Sequence, residues 1–551
     1  MSNAGIKRIP EIIAERLGDS ADVIEDVADS RGTEGYSQAV ACIVKAKNKD
    51  AISALVSLAN ELAECPSKGF SIHPISSGQN WGYGSATPNV SDKPIVLLSL
   101  TQLNKITYLD PDSGLCTLEP GVTQQQLYDY LAENQLSFMV PVTGAGPTCS
   151  ILSNALERGY GITPIADHFS AITQIEGVLP TGDYYTSSLA AMDQSQSKFV
   201  DKAFKWKQGP YLDGIFTQSG NMIVTQATLC LARNPEGFDS FYLRFYGDTA
   251  FRRAHACIQT LFRQLGGVVG GINLMDKTRM MAMLAENPQG KDVHKVMTEQ
   301  QKAAIGSAHD IPEWTVVGTL YGSKNIVKAA AKEVKIIANG MADKCLRSHS
   351  TKVSLARRVC KMAPKGAFLR LKHQLDSLSA ATDIMRGKPS EVALSLAYWR
   401  NPHTVAMNGT QLNPARDRCG LLWYAPLIPA NVSAMEAFVE MVREITPRYN
   451  IEPLITFTHT SAHNIDSTVP ILFDLSNPAA VEDAHNCLAA LFEQGVKHGY
   501  VPYRLNIRQQ EALDKDAVCW KTAGKIAHAL DPNGILSPGR YNPYRMTKTT
   551  G

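Results

Sequence analysis

The sequence predicts an α+β protein built in two parts, and three observations carry the prediction. Between Ala39 and Asn134, apolar runs of strand and helix period alternate as strand, helix, strand, loop, two strands and helix. Three glycine-rich clusters fall between strands from Ser76 to Ser219. From about Pro235 to His498 a second set of strand and helix patterns stands by itself. At 551 residues the chain is long enough to bury two or three cores.

Each element follows from its pattern. The first 36 residues are polar apart from a helical pattern around Ile9 to Leu17, and read as an arm packed on another element or subunit. Ala39 to Ala46 alternates as a strand. An amphipathic helix runs from Asp50 to Glu64, with Asp50 as its N-cap and Ile52, Leu55, Leu58 and Leu62 on one face. Phe70 to Ile75, Ile95 to Leu100 and Leu115 to Glu119 read as strands, and Pro120-Gly-Val-Thr123 opens a helix reaching about Asn134. Ala171 to Leu179 and Asn221 to Leu231 complete the first set. In the second part, a strand at Phe241 to Tyr246 precedes a helix carrying Phe251, Ile258, Leu261, Phe262 and Leu265. Gly420 to Pro426, Pro453 to Thr458 and Val469 to Phe473 are further strands, with helices at Ala434 to Ile445 and Ala479 to Gln494.

The glycine clusters hold the chemistry. Ser76-Ser-Gly-Gln-Asn-Trp-Gly-Tyr-Gly-Ser-Ala-Thr-Pro88 leaves the strand ending at Ile75. Gly78, Gly82 and Gly84 would let backbone amides approach an anionic group with no Cβ in the way. An ordinary glycine-rich turn explains such a loop equally well. Its spacing excludes the Gly-x-Gly-x-x-Gly dinucleotide fingerprint, and no Gly-x-x-x-x-Gly-Lys-Ser/Thr run occurs. In Val142-Thr-Gly-Ala-Gly-Pro-Thr-Cys-Ser150, Gly144 and Gly146 stand just ahead of a helix N-terminus and suit a pyrophosphate. Together with Gly159-Tyr-Gly161 and Gly209-Pro-Tyr-Leu-Asp-Gly214, they favour a nucleotide cofactor laid along several loops.

Composition narrows the partners. Apolar residues are 44%, charged residues 19%, and the formal net charge is +2, which argues against wholesale nucleic-acid or membrane binding. Eleven cysteines are scattered without a Cys-x-x-Cys pair, so a reducing compartment is expected and a structural zinc site is not. Met1 to Pro10 lacks the apolar core of a signal peptide, and no run approaches the roughly 18 apolar residues of a span. The expected location is the cytoplasm. Lys344 to His373 holds nine lysines and arginines and no acidic residue, which reads as a solvated face or as a docking patch for an anionic surface.

Several ordered motifs resemble the vanillyl-alcohol oxidase and p-cresol methylhydroxylase flavoprotein family. They are Pro74-Ile-Ser-Ser-Gly-Gln-Asn-Trp-Gly-Tyr-Gly84, Leu118-Glu-Pro-Gly-Val-Thr123, Asn154-Ala-Leu-Glu-Arg-Gly-Tyr-Gly-Ile-Thr-Pro164, Gly209-Pro-Tyr-Leu-Asp-Gly214, Tyr503-Arg-Leu-Asn506 and Asp531-Pro-Asn-Gly-Ile-Leu-Ser-Pro-Gly-Arg540. The resemblance implies a two-part FAD-binding domain with an inserted α+β cap. The expected division is an arm at 1–36, the FAD domain at 37–234, the cap at 235–498, and a segment at 499–551 returning to the FAD domain. It implies cofactor contacts from Ser76, Ser77, Gly78, Gln79, Asn80, Trp81, Gly82, Gly144, Gly146, Ser150, Asn154, Gly159, Tyr160, Gly161, Asp167, Met222, Ile223 and Val224. Tyr83, Tyr503 and Arg504 map onto the groups that hold a phenolate oxygen, and Arg540 onto the cation facing the flavin N1–C2=O region. Asp167-His168 reads equally as a capped turn.

Departures from the family pattern shape the rest. Val142 stands where the alcohol oxidases carry an aspartate, which removes the expected base. Leu421 and Gln79 stand where relatives carry flavin-linking histidines, and neither Tyr398 nor Tyr424 aligns with a linking tyrosine, so non-covalent FAD is expected. The implied protein is an FAD-dependent oxidoreductase taking a hydride from a small para-substituted phenol or other alcohol. Electrons would pass to dioxygen or an acceptor protein, in a homodimer or larger homo-oligomer. The alternative is a flavin-retaining protein whose altered site serves binding or assembly.

Overall fold

The computed structural model describes residues 8–25, 32–65, 67–79, 81–348, 382–401 and 411–545. Asn80 and most of the basic segment Lys344 to His373 lie outside the described residues.

Three sheets organise the chain. The four-stranded sheet runs in the order Ala21–Ile24, Cys42–Ala46, Ile95–Ser99 and Ser71–Ile75, with its last three strands parallel and the first antiparallel. The segment expected as an arm is therefore in part an edge strand of this sheet, and the helix Ile9–Leu17 packs Ile13 and Leu17 into its core. The helix Lys49–Glu61 covers the same core with Ile52, Leu55 and Leu58. Its N-cap is Asn48 rather than Asp50, since Asn48 accepts from the Ala51 amide. Asp50 instead occupies the first turn, where a carboxylate favours the helix dipole. The five-stranded antiparallel sheet runs Ile106–Leu109, Leu115–Leu118, Ile223–Cys230, Ile172–Val178 and Tyr184–Tyr185.

The seven-stranded sheet is antiparallel in the order Lys344–Arg347, Gly237–Phe245, Trp314–Gly322, Val269–Asp276, Thr456–His459, Ile465–Asp474 and Cys419–Tyr424. Register decides what each face does, because side chains alternate along a strand. The row Leu243, Val316, Leu274 and Phe457 points into the largest core, which the helices Ala250–Leu265, Lys324–Ala338, Val432–Ile445 and Pro478–Lys497 close. The neighbouring row Tyr242, Val317, Asn273, Thr458 and Asp466 therefore turns to the opposite face. Val317 on that face packs with Met139 and Ile162 of the first part of the chain. The sheet thus roofs the first part of the chain. Two central strands, Val269–Asp276 and Trp314–Gly322, go beyond the sequence reading: the first opens with Gly270-Gly271 and a bulge, and the second is buried almost throughout and shows no alternation.

The C-terminal stretch returns to the start. Ile72 donates its amide to Ile535 at 2.7 Å and accepts from the Ser537 amide at 2.8 Å, so residues 535–537 extend the four-stranded sheet. Among the described residues no helix is long and apolar enough to cross a membrane.

Candidate active site

A groove runs where the two smaller sheets and the C-terminal stretch meet. His73 and Ile75 line it from one sheet and Ile223 and Val224 from the other. Ser76, Gly78 and Gln79 contribute from the first glycine loop, Gln218 and Ser219 from the turn before a strand, Glu157 from a helix end, and Ser537 and Arg540 from the C-terminal stretch. Of the expected cofactor residues, Ser76, Gly78, Gln79, Met222, Ile223, Val224 and Arg540 thus border the groove. Ser77 and Ser150 form the layer behind: the Ser150 amide donates to Ser77 Oγ at 3.2 Å, and Ser150 Oγ caps the helix Ile151–Leu156. Gln79 is held by the Thr148 hydroxyl.

Other expected contacts are used differently. The Gly82 amide donates to Glu34 Oε1 at 2.6 Å and to Thr33 Oγ1 at 3.1 Å, so it is not free for an anion. A Cβ on Gly82 would lie 2.3 Å from Trp423 Cδ1, and one on Gly84 would lie 2.7 Å from the Tyr36 ring. These two glycines serve close packing against the cap and the N-terminal segment, both at positive φ. Trp81 is buried and donates Nε1 to Ala145 O at 3.2 Å, while Gly144 and Gly146 face Ala393 and Leu394. Asn154 turns to His168 Nδ1 at 2.8 Å and leaves Gly159 no room for a side chain. Gly161 abuts His168, whose burial pushes its pKa down to about 4. Asp167 caps the short helix His168–Ala171 by accepting from the Ser170 amide, which is the turn role.

Beside the groove, the structure gathers Tyr83, Tyr503 and Arg504. The Tyr83 carbonyl accepts from the Ile507 amide at 3.1 Å, which docks the loop tip onto the segment bearing Tyr503 and Arg504. The Arg504 guanidinium lies 4.1 Å from the Tyr83 ring centroid, and the Tyr83 and Tyr503 side chains act on each other's ionisation. Burial raises the pKa of both tyrosines, opposed by Arg504. Tyr160 completes the cluster, its ring 5.0 Å from that of Tyr503. Arg504 is 3% exposed, yet Nε and Nη2 find no hydrogen-bond partner.

Two carboxylates face this cluster, and neither was singled out from the sequence. Glu157 lies 3.4 Å from Arg504 Nε through Oε2 and pairs with Arg540 through Oε1. Burial would raise its pKa, but Arg540 and Arg504 outweigh that and hold it below the ordinary value. Asp466 enters from the roof, is 4% exposed and has no salt bridge among the described residues. Desolvation pushes it up to about 7, and its charge in turn raises Tyr83 and Tyr503. Val142, at the position of the missing aspartate, is 1% exposed within an apolar core.

The groove suits a flavin dinucleotide on its own features. Gly78 leaves a wall with nothing closer than 3.7 Å to an added Cβ, amides and hydroxyls line one side, and a guanidinium stands at the border. Arg504, whose Nη2 finds no hydrogen-bond partner, supplies a second, buried positive group beside it. As for a tether, Tyr424 is fully buried on the helix-covered face and donates to Tyr500 O at 3.2 Å, while Tyr398 donates to Asp417 at 2.5 Å. Leu421 lies on the inward face among apolar side chains.

Residues 40–188 match the family model described as an FAD binding domain. The sequence is 29% identical to 1'-carboxy-chondrochloren decarboxylase of Chondromyces crocatus, over 98% of each chain. It is 27% identical to the 4-cresol dehydrogenase (hydroxylating) flavoprotein subunit of Pseudomonas putida, over 92% of this chain and 88% of that one. The fold matches p-cresol methylhydroxylase with substrate bound at a TM-score of 0.81, with 24% identity over 97% of this chain and 96% of that one. The 4-ethylphenol oxidase from Gulosibacter chungangensis matches at the same TM-score with 19% identity and the same coverage. Fold and groove define an FAD-dependent oxidoreductase with a two-part FAD-binding α+β architecture. In its matched domain, its full-length relatives and its fold, the chain is similar to the p-cresol methylhydroxylase type of flavoproteins.

Proposed function

We propose that this oxidoreductase removes a hydride from the benzylic carbon of a small para-substituted phenol. The observation that carries the reading is the buried cluster of Tyr83, Tyr503 and Arg504, whose guanidinium keeps Nη2 without a hydrogen-bond partner while Nε faces Glu157. When bound, FAD supplies the hydride acceptor. The two tyrosine hydroxyls and Arg504 would hold the substrate oxygen as a phenolate, whose electron density stabilises the quinone-methide-like product of hydride loss. Asp466 would accept the phenolic proton, since a carboxyl titrating near 7 is matched to base catalysis at neutral pH. In this reading the roof supplies the carboxylate that Val142 takes away from the floor. Arg540 would bind FAD at the groove border, and the cofactor is held without a covalent bond, because neither Tyr398 nor Tyr424 turns toward the groove.

A second reading is favoured by the full-length relative named as a decarboxylase. If the carbon next to the benzylic position bears a carboxylate, the quinone methide can break that C–C bond. The bond's electron pair restores the aromatic ring and CO2 leaves. Both readings share the hydride step and the phenolate site. They differ in whether water adds or CO2 departs.

The test is anaerobic mixing with para-alkylphenols and with 3-(4-hydroxyphenyl)propanoate, read by bleaching of the flavin absorbance and by CO2 release. Arg504→Ala should slow flavin reduction more than tenfold, about 1.4 kcal/mol of transition-state stabilisation. Reduction at the wild-type rate in that variant would remove the phenolate assignment. Full flavin occupancy without reduction by any phenol, alcohol or amine would instead favour the binding or assembly role. FAD released to the supernatant on acid precipitation supports non-covalent attachment, and reoxidation in air separates dioxygen from an acceptor protein. The relative from Pseudomonas putida is by name one subunit of a larger enzyme, which keeps an acceptor protein in view. The proposed assembly, a homodimer, is read by light scattering.

A further inference from the structure

We propose that Glu157 sets the charge shared by the flavin and substrate sites, through Arg540 on one side and Arg504 on the other. The part concerning substrate rests on the phenolate reading above. The part concerning the cofactor does not.

The geometry is specific. Glu157 caps the C-terminal end of the helix Ile151–Leu156, and the next residue, Arg158, takes φ +55° and turns the chain away. Its two carboxylate oxygens are divided: Oε1 pairs with Arg540 Nη2, and Oε2 faces Arg504 Nε at 3.4 Å. Arg540 and Arg504 come from the C-terminal stretch, more than 340 residues away in sequence. Glu157 and Arg540 both border the groove, and Arg504 lies over Tyr83. All three side chains are at most 14% exposed, so solvent screens them little.

Charge counting gives the consequence. Counted over these three side chains, two guanidiniums and one carboxylate leave one net positive charge, which is costly away from water unless an anion, such as the ionised form of Asp466 or a ligand, offsets it. Two anions are expected there in turn, a phenolate before hydride transfer and a reduced flavin after it. Glu157 leaves enough positive charge to favour either, but not both fully. Replacing its carboxylate by an amide should raise the net charge to two and strengthen both preferences.

The experiment compares the wild-type holoprotein with Glu157→Gln, Glu157→Asp and the double variant Glu157→Gln/Arg504→Met. Two quantities are read: the midpoint potential of bound FAD without substrate, and the ionised fraction of bound 4-nitrophenol from its difference spectrum. In Glu157→Gln the equilibrium for two-electron reduction should shift at least tenfold toward reduced flavin, about 30 mV, and bound nitrophenol should be more ionised. Glu157→Asp keeps the charge and should stay near wild type. The double variant restores one net positive charge, so its potential should return toward wild type. A purely structural role predicts the opposite, a double variant more perturbed than the single. An unchanged potential in FAD-loaded Glu157→Gln overturns the proposal whether or not phenols are substrates. A raised potential with no change in nitrophenol ionisation overturns the coupling between the two sites.

Discussion

Glu157 and Asp466 are the same functional group in two settings. Both are carboxyls, Asp466 buried and Glu157 14% exposed, and both act electrostatically on Tyr83. Glu157 belongs to the floor of the site, where Arg540 and Arg504 hold it as an anion against the penalty of burial. Asp466 hangs from the seven-stranded sheet with no salt bridge among the described residues, and desolvation pushes it up to about 7. Burial alone therefore does not decide what an acid does here. The nearest guanidinium does, making one carboxylate a fixed counter-charge and leaving the other a site whose proton can be exchanged.

The largest expected consequence is in stability against pH. Asp466 has its folded-state value raised from an ordinary 3.8 to about 7, so its ionisation opposes folding. The penalty is absent below the ordinary value, grows as pH rises through the interval, and is constant above about 7. At about 1.4 kcal/mol per tenfold change in proton affinity, it reaches on the order of 4 kcal/mol. Asp466→Asn should thus raise the melting temperature at pH 8 and leave it nearly unchanged at pH 4. If wild type and variant melt in parallel at every pH, Asp466 is not the unpaired acid described, and the contrast with Glu157 disappears.

Catalysis gives the next effect. With Asp466 as the base, anaerobic flavin reduction should rise with pH through about 7 in the wild type. Asp466→Asn should abolish that rise and slow reduction by roughly a hundredfold at its plateau, within the usual range for a positioned base. Stopped-flow absorbance across pH 5 to 9 reads both. An unchanged profile would leave proton removal to solvent or to the tyrosines.

How far the sequence led to these two residues differs, and the reason is physical. Glycine loops and helix patterns were legible because each is a local pattern, whereas Tyr503-Arg504 stood out only through the family resemblance. Glu157 was in plain sight inside Asn154-Ala-Leu-Glu-Arg, but its role depends on guanidiniums from the far end of the chain. Asp466 had a weaker local signal. The strand was expected from Val469, whereas it starts at Ile465, and only the pairing of Asp466 with Thr458 reveals which face it occupies. Gly82 was read as an anion contact because the amide's actual partner, Glu34, lies in a segment expected to be an arm. Long-range pairing and register, absent from any local window, account for each of these.

The smallest effect is also the one that tests the comparison from the other side. Glu157 has its folded-state value held below an ordinary 4.5, the reverse of Asp466. Its favourable contribution is therefore complete above the ordinary value and is lost as pH falls through the lowered one. Glu157→Gln should be destabilised at neutral pH, because two buried guanidiniums lose their partner. The gap to the wild type should narrow on acidification below the ordinary 4.5, as the wild-type carboxylate takes up its own proton. Asp466→Asn, in contrast, differs from the wild type at the alkaline end. Urea unfolding at pH 3, 5 and 8 on the two variants should give difference curves that diverge at high pH with opposite signs. Two curves of the same sign would mean that the guanidiniums do not distinguish the floor carboxylate from the roof carboxylate.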